Sequence, residues 1–552
     1  MRISPIAAAT ASAAAFALAT VACGGATPAS EASPETASTV AADVQTAADA
    51  PRMRNVILLI GDGMGPQQIG LLEIWARRAS SSTYVGPTHI ERMADAGTVG
   101  LSMTDPVDAL VVDSACSATQ LATGEAALGE VIGLDAEGNA VPTILELAEA
   151  RGMATGLVSD TRLTHATPAS FAAHVHHRSH ENEIAAQMIA SGADVLLSGG
   201  LRHFVPASLD GAGDDDAAWL ADHGVPFDVA SRRDDDRDLI AEAVADGYAL
   251  AFDREQLAAA TGGERVLGLF APSGMMDGIQ WHQTVDDPAR AEPTLTEMTV
   301  AALDILEDDP DGFFLMVEGG QIDWAGHDND AGRLLHEMRK YDDAIGAVLA
   351  WAEGRDDTLI VLTADHETGG FGLSYSAFDV PVPVTIAGDG FAGAPYQPNF
   401  NFGDPSQLDG LFAQTLSLEG MLAEVGDDAA PDALMAVVNE HSAFDITEAE
   451  ATEILAMVPN AYHVEGHSYL DAEELPHVHD FAAFYPFGLS SRRGLIGRAL
   501  ATQQNVVWAS GTHTHTPVAV VAWGPEPVRR AFGGLTHHVA IGQTLVDVLT
   551  AE

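Results

Sequence analysis

Four short apolar runs, each followed closely by acidic residues or histidines, constrain this chain more than any other feature. Runs of this length, bounded by Gly-rich loops and helical patterns, are typical of buried parallel strands. The carboxyl ends of parallel strands lie at one edge of a sheet, where α/β proteins bind ligands. The side chains after these runs are therefore predicted to converge. The runs are NVILLI before Asp62, TGLVS before His165, FFLMV before Glu318 and TLIVLT before Asp365.

Strand, loop and helix patterns alternate along most of the chain. This alternation predicts an α/β fold with a large, mainly parallel central sheet and helices on both faces. Residues 52–552 are assigned to one catalytic domain. Residues 372–505 break the alternation and are rich in Asp, Gly, Pro and Phe, so they are predicted to form a large insertion, a crown or large-loop region. Residues 201–245, dense in Asp, are predicted to form a smaller one.

The first 51 residues are predicted to be a leader and a tether. Residues 1–22 have the short basic start and apolar stretch of a secretory signal peptide. Residues 23–51 are small and polar, which is typical of a flexible tether. The sequence before Cys23 resembles a lipoprotein cleavage box, although Thr20 replaces the usual Leu, and ordinary cleavage near Ala22 is the alternative. We therefore expect export to the periplasm, attachment to the outer membrane through a lipid on Cys23, or secretion.

The chain is strongly acidic. Its 552 residues include 80 acidic and 25 basic ones, which gives a formal net charge of −55. Nucleic acid is a poor candidate partner because binding a phosphate backbone needs clustered Lys and Arg. We interpret the acidic surface as solubilising or salt-adapted, with a specific basic partner as the alternative. An anionic phosphate ester would be repelled, so phosphoryl chemistry here requires strong local positive charge, which bound metals could supply.

The segment DSACSAT, which begins at Asp113, places a serine at the start of a predicted helix. Exposed N–H groups and the positive end of the helix dipole stabilise an alkoxide and bind phosphate. Ser114 is therefore a candidate nucleophile, whereas simple helix capping by Asp113 or Ser114 is the alternative. Cys116 is interpreted as a small core residue. Arg178 is a candidate phosphate clamp, since its planar guanidinium matches two phosphate oxygens, and Asp113 is a plausible acceptor that holds it.

Several acids and histidines have the chemistry and spacing of metal ligands. Asp323 and His327 are four residues apart, so they face the same side of a helical turn. Three protein ligands with one open position are usual for catalytic zinc, and two such metals clamp the oxygens of an in-line displacement. Glu318 and Thr167 offer hard oxygens suited to magnesium. Each carboxylate alone could be a cap or an ion-pair partner, but together they predict a three-metal site for phosphoryl transfer.

DSACSAT, HATPASFAAHVHHR, EGGQIDWAGH and TADH, in this order, resemble the alkaline phosphatases, a family of phosphomonoesterases. The resemblance covers roughly residues 55–200 and 293–371 and resumes at 511–552. It implies hydrolysis of phosphate monoesters through a phosphoserine, with two Zn²⁺ and one Mg²⁺ as cofactors. It also implies a homodimer, because the long insertion resembles the marine type, whose large loop embraces the second subunit.

The resemblance implies a role for each position. Ser114 resembles the nucleophile and Arg178 the phosphate clamp. His513 is included among the metal ligands because it stands twelve residues before Pro525, as in the family, and His515 is the alternative. Asp323, His327 and His513 resemble the ligands of the first zinc. Asp62, Asp365 and His366 resemble those of the second zinc. Asp62, Thr167 and Glu318 resemble those of the magnesium.

Two positions depart from the enteric bacterial pattern. His165 stands where that pattern has Asp, and Trp324 where it has Lys. Both changes resemble high-turnover, weaker-binding enzymes of marine bacteria and animals, so they imply weaker product binding and looser magnesium. Two other interpretations stay open: a phosphodiesterase or sulfatase-like hydrolase of the same superfamily, and a catalytically silent protein that binds phosphate or metal.

The net charge predicts a response to salt. Crowded surface carboxylates repel one another and destabilise the compact state. At about 1 M ionic strength the Debye length falls to about 3 Å, which removes most of this repulsion. We expect the melting temperature to rise, and activity to hold or rise, between dilute buffer and roughly molar NaCl. A melting temperature that stays flat or falls would contradict salt adaptation and leave solubility as the role of these acids.

Overall fold

The computed structural model describes residues 52–211, 214–260, 263–478 and 482–551. The predicted leader at 1–22, the tether at 23–51 and Cys23 lie outside the described residues. Within these ranges no helix combines the length and the apolar character needed to cross a membrane.

The described strands, in chain order, are β1 (Asn55–Gly61), β2 (Thr98–Met103), β3 (Ala154–Arg162), β4 (Val195–Gly199), β5 (Tyr248–Ala251), β6 (Arg265–Leu269), β7 (Phe313–Gly319), β8 (Thr358–Thr363), β9 (Glu367–Thr368), β10 (Gly372–Leu373), β11 (Met457–Pro459), β12 (Glu474–Pro476), β13 (Val506–Val507), β14 (His513–Thr514), β15 (Val518–Trp523) and β16 (Gly534–His537).

The described α-helices are α1 (Pro66–Arg78), α2 (His89–Ala96), α3 (Ser114–Thr123), α4 (Ile144–Glu149), α5 (Ala166–Ala172), α6 (Glu181–Ala190), α7 (Asp214–His223), α8 (Leu239–Ala245), α9 (Arg254–Ala259), α10 (Gly278–Thr284), α11 (Leu295–Leu306), α12 (Gln321–His327), α13 (Ala331–Ala352), α14 (Ser406–Phe412), α15 (Leu418–Val425), α16 (Pro431–His441), α17 (Glu448–Leu455), α18 (Ser491–Gln504), α19 (Glu526–Arg529) and α20 (His538–Thr550).

Ten strands form one central sheet in the order β16-β2-β15-β8-β1-β7-β3-β4-β6-β5. Neighbouring strands run parallel except at β15, which is antiparallel to both β2 and β8. The expected α/β fold with a large, mainly parallel sheet is therefore confirmed.

Both faces of the sheet are covered, as β1 illustrates. All seven of its residues are buried, and successive side chains point to opposite faces. Leu58 packs in an apolar cluster with side chains of α3, α4, α5, α6 and α20. Leu59 packs in the opposite cluster with side chains of α1, α2, α11 and α13. Burial on both faces explains why the strand reads as a continuous apolar run rather than an alternating one.

The strands that precede the candidate site end at one edge of the sheet. In the parallel register of β1 and β7, Gly61 lies beside Gly319, and in that of β1 and β8, Ile60 lies beside Thr363. Asp62 follows β1 directly, and Asp365 follows β8 after one residue. The predicted convergence of these strand ends is thus present in the fold.

Residues 372–505 contain helices α14–α18 and build an apolar cluster of their own. Leu418, Leu434 and Ile496 are among its buried members. The two ends of this stretch meet where β10 pairs with β13 in antiparallel register. We call residues 372–505 the insertion; its exact boundaries stay a prediction.

A buried ion network ties α13 to the sheet edge that carries the candidate site. The Lys340 ammonium lies 2.9 Å from Asp160 Oδ2 and 2.6 Å from Glu337 Oε2. Asp160 Oδ1 accepts the Gly320 N–H at 2.7 Å, just after β7. The three charged side chains are at most 3% exposed, so each charge depends on its partners.

Replacing Lys340 with Met is expected to destabilise the fold by about 3–5 kcal/mol, since it leaves the Asp160 carboxylate buried without its cation and Glu337 with Arg333 alone. Urea unfolding of the metal-free protein measures the change. The matched control is Arg530→Met, which removes the exposed pair with Glu526 and is expected to lose less than about 1 kcal/mol. Similar losses in the two variants would contradict the importance of the buried network.

Candidate active site

Helix α3 presents a serine at its first residue. Ser114 is 1% exposed, and its Oγ lies 3.2 Å from Nε2 of His366. Asp113 precedes the helix as its N-cap and accepts the N–H groups of Ala115 and Cys116, each at 3.2 Å. The capping interpretation therefore holds for Asp113, while Ser114 faces the histidine.

Asp113 also holds Arg178. The Arg178 Nη1 donates to Asp113 Oδ2 at 2.9 Å, and the Glu130 N–H donates to Asp113 Oδ1 at 2.8 Å. Burial would raise the pKa of Asp113, but the Arg178 charge and these backbone donors outweigh it and lower the pKa. A stable carboxylate thus fixes the guanidinium near Ser114, in the pairing that the sequence predicts.

Asp323, His327 and His513 form the first group of candidate metal ligands. Their donor atoms lie within 4.8 Å of one another, with His327 Nε2 3.2 Å from both Asp323 Oδ2 and His513 Nε2. Nδ1 of His327 lies 2.8 Å from the Gly511 carbonyl, and Nδ1 of His513 lies 2.8 Å from the Val112 carbonyl. These contacts orient both Nε2 atoms toward Asp323, as is usual for metal-binding histidines.

Asp62, Asp365 and His366 form the second group. His366 Nε2 lies 3.1 Å from Asp365 Oδ2 and 3.5 Å from Asp62 Oδ1. The N–H groups of Gly63 and His366 both donate to Asp365 Oδ1, which leaves Oδ2 facing the other ligands. The His366 ring stacks on His513 with centroids 3.5 Å apart, so the two ligand groups are adjacent.

The third group contains Asp62, His165 and Glu318. The Ser159 hydroxyl donates to Glu318 Oε2, and Thr167 is fully buried. Burial raises the pKa of Glu318, and the lowering of this pKa by the Ser159 and Thr167 hydroxyls does not outweigh the effect of burial. Burial, then the Arg178 charge, lowers the pKa of His165 to about 3, so its imidazole is neutral. His165 is therefore a member of the third group, next to which the sequence predicts it.

Trp324 packs edge-on against His165, with ring centroids 6.0 Å apart and planes at 80°. An indole at this position fills space beside the third ligand group but supplies no positive charge. The two departures from the enteric pattern, His165 and Trp324, are therefore in contact and change the same part of the site.

The donor atoms of these groups fit divalent metal ions. Among the described residues, neither Asp62 oxygen, nor Glu318 Oε1, nor Asp365 Oδ2 has a hydrogen-bonding partner of good geometry, although all are buried. Burial, reinforced by the charges of Asp365, Asp323 and Glu318, raises the pKa of Asp62 well above its ordinary value. Burial also raises the pKa of Glu318 to about 8. Cations at the centre of these groups would give the buried oxygens partners and would offset the repulsion between the carboxylates.

Sequence reasoning missed several residues that support these ligands. The Thr368 hydroxyl donates to Asp323 Oδ1 at 2.5 Å and lies 3.3 Å from Nδ1 of His366. Thr368 could have been found from the sequence, because it stands two residues after His366 on an extended segment, where side chains two apart lie on one face. Gly63 has φ +73°, and a Cβ there would lie 2.7 Å from the Asp323 Cα, so the turn after β1 requires glycine.

Cys116 matches its interpretation as a core residue. Its side chain is buried in a small apolar cluster, and the thiol donates to the Ala127 carbonyl at 3.4 Å. Burial raises the pKa of the thiol to about 12. A thiol that stays protonated is a poor nucleophile, so Ser114 is the better candidate on this helix.

The fold and the site together define an α/β protein whose sheet is covered on both faces. It has three adjacent groups of candidate metal ligands, one of which contacts the buried Ser114. A family model described as alkaline phosphatase matches residues 53–392, more than half of the chain. The chain belongs to the alkaline phosphatase family, and the resemblance stated from its motifs is confirmed.

Known relatives agree with this assignment. The chain is 36% identical over 342 residues to alkaline phosphatase 3 of Bacillus subtilis (strain 168), a match that covers 60% of this chain and 65% of that relative. The chain thus spans somewhat less than two thirds of that relative's length. The structure of a cold-active alkaline phosphatase from the psychrophile Shewanella sp. matches with a TM-score of 0.63 and 27% identity, over 90% of this chain and 99% of that one. The Thermus thermophilus alkaline phosphatase matches with a TM-score of 0.70 and 26% identity, over 90% and 91%.

The choice between His513 and His515 can be tested by metal content. His513 belongs to the first ligand group, whereas His515 belongs to none of the three groups and its Nε2 lies 3.8 Å from Asp105 Oδ1. We expect His513→Ala to retain less metal per chain than the wild type after dialysis, because the first group keeps only two ligands. His515→Ala is the control and should retain as much as the wild type by elemental analysis. The reverse pattern would transfer the ligand role to His515.

Proposed function

We propose that this protein is an alkaline phosphatase in activity as well as family, a hydrolase of phosphate monoesters. The observation that carries the proposal is the position of the Ser114 Oγ, 3.2 Å from His366 Nε2 and next to two adjacent groups of metal ligands. Arg178, held by Asp113, adds a fixed fork of donors beside the same serine. A nucleophile, a cation-binding site and a phosphate clamp are the parts that phosphoryl transfer requires.

We further propose two Zn²⁺ and one Mg²⁺ as the cofactors. Asp323, His327 and His513 would hold one zinc, and Asp62, Asp365 and His366 the other, since nitrogen and carboxylate ligands suit zinc. The hard oxygens of Asp62, Thr167 and Glu318 would hold magnesium. When bound, such metals neutralise phosphate charge and favour the ionised forms of a hydroxyl and of water.

Ser114 performs the covalent chemistry in this proposal. The Ser114 hydroxyl gives its proton to solvent and its Oγ attacks phosphorus. The Oγ–P bond forms, the bond from phosphorus to the ester oxygen breaks, and the alcohol leaves with a proton from solvent. A water molecule then attacks the phosphoserine, the Oγ–P bond breaks, Ser114 Oγ regains a proton from that water, and inorganic phosphate departs. Two displacements at one phosphorus replace a single direct attack by water.

Arg178 and Asp113 orient the phosphoryl group during both displacements. The carboxylate occupies one end of the guanidinium through Nη1, and Nη2 lies 3.3 Å from His165 Nε2. A guanidinium fixed on two sides needs little reorganisation to meet phosphate oxygens. Because His165 and Trp324 replace charged residues of the enteric pattern, we propose weaker product binding and looser magnesium than in that type.

Glu318 and Thr167 favour this activity over the runner-up. A phosphodiesterase or sulfatase-like hydrolase of the same superfamily usually lacks this pair of oxygen ligands and uses Thr or a modified Cys as nucleophile. Here the side chains of Glu318 and Thr167 are both buried, and helix α3 begins with Ser114 rather than with Thr or Cys. These features support a monoesterase.

Export, lipidation at Cys23, a homodimer built with the insertion and a salt-adapted surface remain predictions from the sequence. The expected localisation is the periplasm or the outer membrane. The excess of 80 acidic over 25 basic residues argues against a nucleic-acid partner, and small phosphate monoesters are the proposed substrates.

Replacing Ser114 with Ala is expected to lower hydrolysis of a nitrophenyl phosphate monoester by several orders of magnitude, because the covalent step is lost. The wild type should hydrolyse the monoester far faster than the matching diester. Cys116→Ala is the control on the same helix and should keep most of the activity. Mass spectrometry after trapping at low pH should find phosphate on Ser114. Phosphate on another residue would refute the assignment of the nucleophile, and preference for the diester would refute the function.

A further inference from the structure

The insertion contacts three consecutive residues that directly follow a candidate zinc ligand. His327 is the last residue of α12, which has only seven residues, and residues 328–330 connect it to α13. We call Asp328, Asn329 and Asp330 the ligand loop. All three residues are at most 6% exposed, although they link two helices, so something outside α12 and α13 covers them.

Asp328 is paired by a residue of the insertion. Its Oδ1 lies 3.3 Å from Nη1 of Arg493, on α18, and its Oδ2 lies 3.4 Å from Nη1 of Arg333, on α13. Arg493 is itself held by Glu419 of α15, through a 2.5 Å contact. Arg493 therefore bridges the insertion and the ligand loop, and without it half of the cationic environment of a buried carboxylate is lost.

Asn329 is packed directly against α18. Its backbone has φ +52°, a left-handed conformation that Asn tolerates better than most residues. A Cβ at Gly497 would lie 2.2 Å from the Asn329 carbonyl oxygen, so the helix and the loop approach as closely as backbones allow. The Asn329 Nδ2 donates to the Gly326 and Ser510 carbonyls, each at 2.9 Å.

Asp330 is anchored to a second part of the insertion, around the start of α15. Its side chain caps α13 by accepting the Arg333 N–H at 2.9 Å. It also accepts the Gln414 side-chain amide and the Leu418 N–H, both at 2.8 Å. The ligand loop is thus held from two directions, by α18 on one side and by the start of α15 on the other.

The His327 ring itself touches the insertion. Phe487, which precedes α18, packs edge-on against it with centroids 4.6 Å apart. The ring is fixed on its Nδ1 side by the Gly511 carbonyl. Contact with Phe487 limits rotation of the ring, while the ligand loop fixes the position of its backbone.

We propose that the insertion is a positioning element of the first metal-ligand group: Arg493, Gly497 and Gln414 hold the ligand loop and, through it, His327. The proposal rests on the proposed zinc at Asp323, His327 and His513. This role of residues 372–505 is exerted within one chain and is independent of any contact that the insertion makes in a dimer. The metal affinity of the first group should therefore depend on how α18 packs against the ligand loop, although α18 lies more than 150 residues after His327 in the sequence.

Gly497→Ala tests the close approach. Ala is normally the better helix residue by about 1 kcal/mol, so a harmful effect cannot come from helix propensity. We expect the new methyl group to displace the ligand loop and to weaken zinc binding at the first ligand group about tenfold or more, as for other residues that orient metal ligands. Gly70→Ala on α1 is the matched control, because a Cβ there meets nothing within 4 Å.

The measurement is zinc bound per chain in the purified full-length protein, titrated against a competing chelator, with hydrolysis assayed in parallel. Gly497→Ala should lose one zinc at lower chelator concentration than the wild type and regain activity in excess zinc, whereas Gly70→Ala should match the wild type. Arg493→Leu should show the same shift without adding volume, and it serves as the test if Gly497→Ala does not fold. Arg493→Lys, which keeps a charge near Asp328, should recover part of the affinity.

Two results separate this inference from the proposed function. Wild-type zinc binding in both Gly497→Ala and Arg493→Leu would overturn the positioning role and leave the phosphatase activity standing. A wild type that binds zinc but hydrolyses no phosphate monoester would refute the function, and the shifts in zinc affinity would still decide the positioning role.

Discussion

The structure depends most on the crowding of buried carboxylates at one edge of the central sheet. Asp62, Glu318 and Asp365 are 0% exposed, and Asp323 is 4% exposed. Charges of one sign at this depth oppose folding unless cations or donors surround them. In the part of the chain that the structure describes, backbone and hydroxyl donors reach only one of the two oxygens in each of three carboxylates. Backbone N–H groups donate to Asp365 Oδ1, a hydroxyl donates to Asp323 Oδ1, and hydroxyl donation to Glu318 reaches Oε2. The remaining oxygens face one another, which is an arrangement that binds metal ions and is otherwise unfavourable.

The carboxylates of the site belong to a molecule that is strongly negative as a whole. A protein with 55 excess negative charges attracts dissolved cations toward its surface and repels phosphate esters. Within the site, Arg178 adds a fixed positive charge, while the neutral His165 adds none. Under the proposed function, substrate binding would rest on the metals and the Arg178 guanidinium, which agrees with the proposed weaker binding of the phosphate product.

Much of this organisation could be predicted from the sequence because it is local. Apolar runs that end in acids located β1, β7 and β8, and the spacing of Asp323 and His327 matched one turn of α12. Other features could not be predicted. The run VAVVAW indicates a strand, but periodicity carries no direction, and β15 is antiparallel to both of its neighbours. The pairing of Lys340 with Asp160 depends on tertiary packing across the sheet, which leaves no pattern in either segment.

The two proposed zinc sites differ in how the fold supports them. Asp62 and Asp365 follow β1 and β8, six- or seven-residue strands buried in the middle of the sheet, so their backbones have little freedom. In contrast, His327 ends a seven-residue helix, and His513 belongs to the two-residue strand β14, which is paired only with β9. Short elements of this kind contribute little stability of their own. The first ligand group therefore needs outside support, and the insertion packs where that need is greatest.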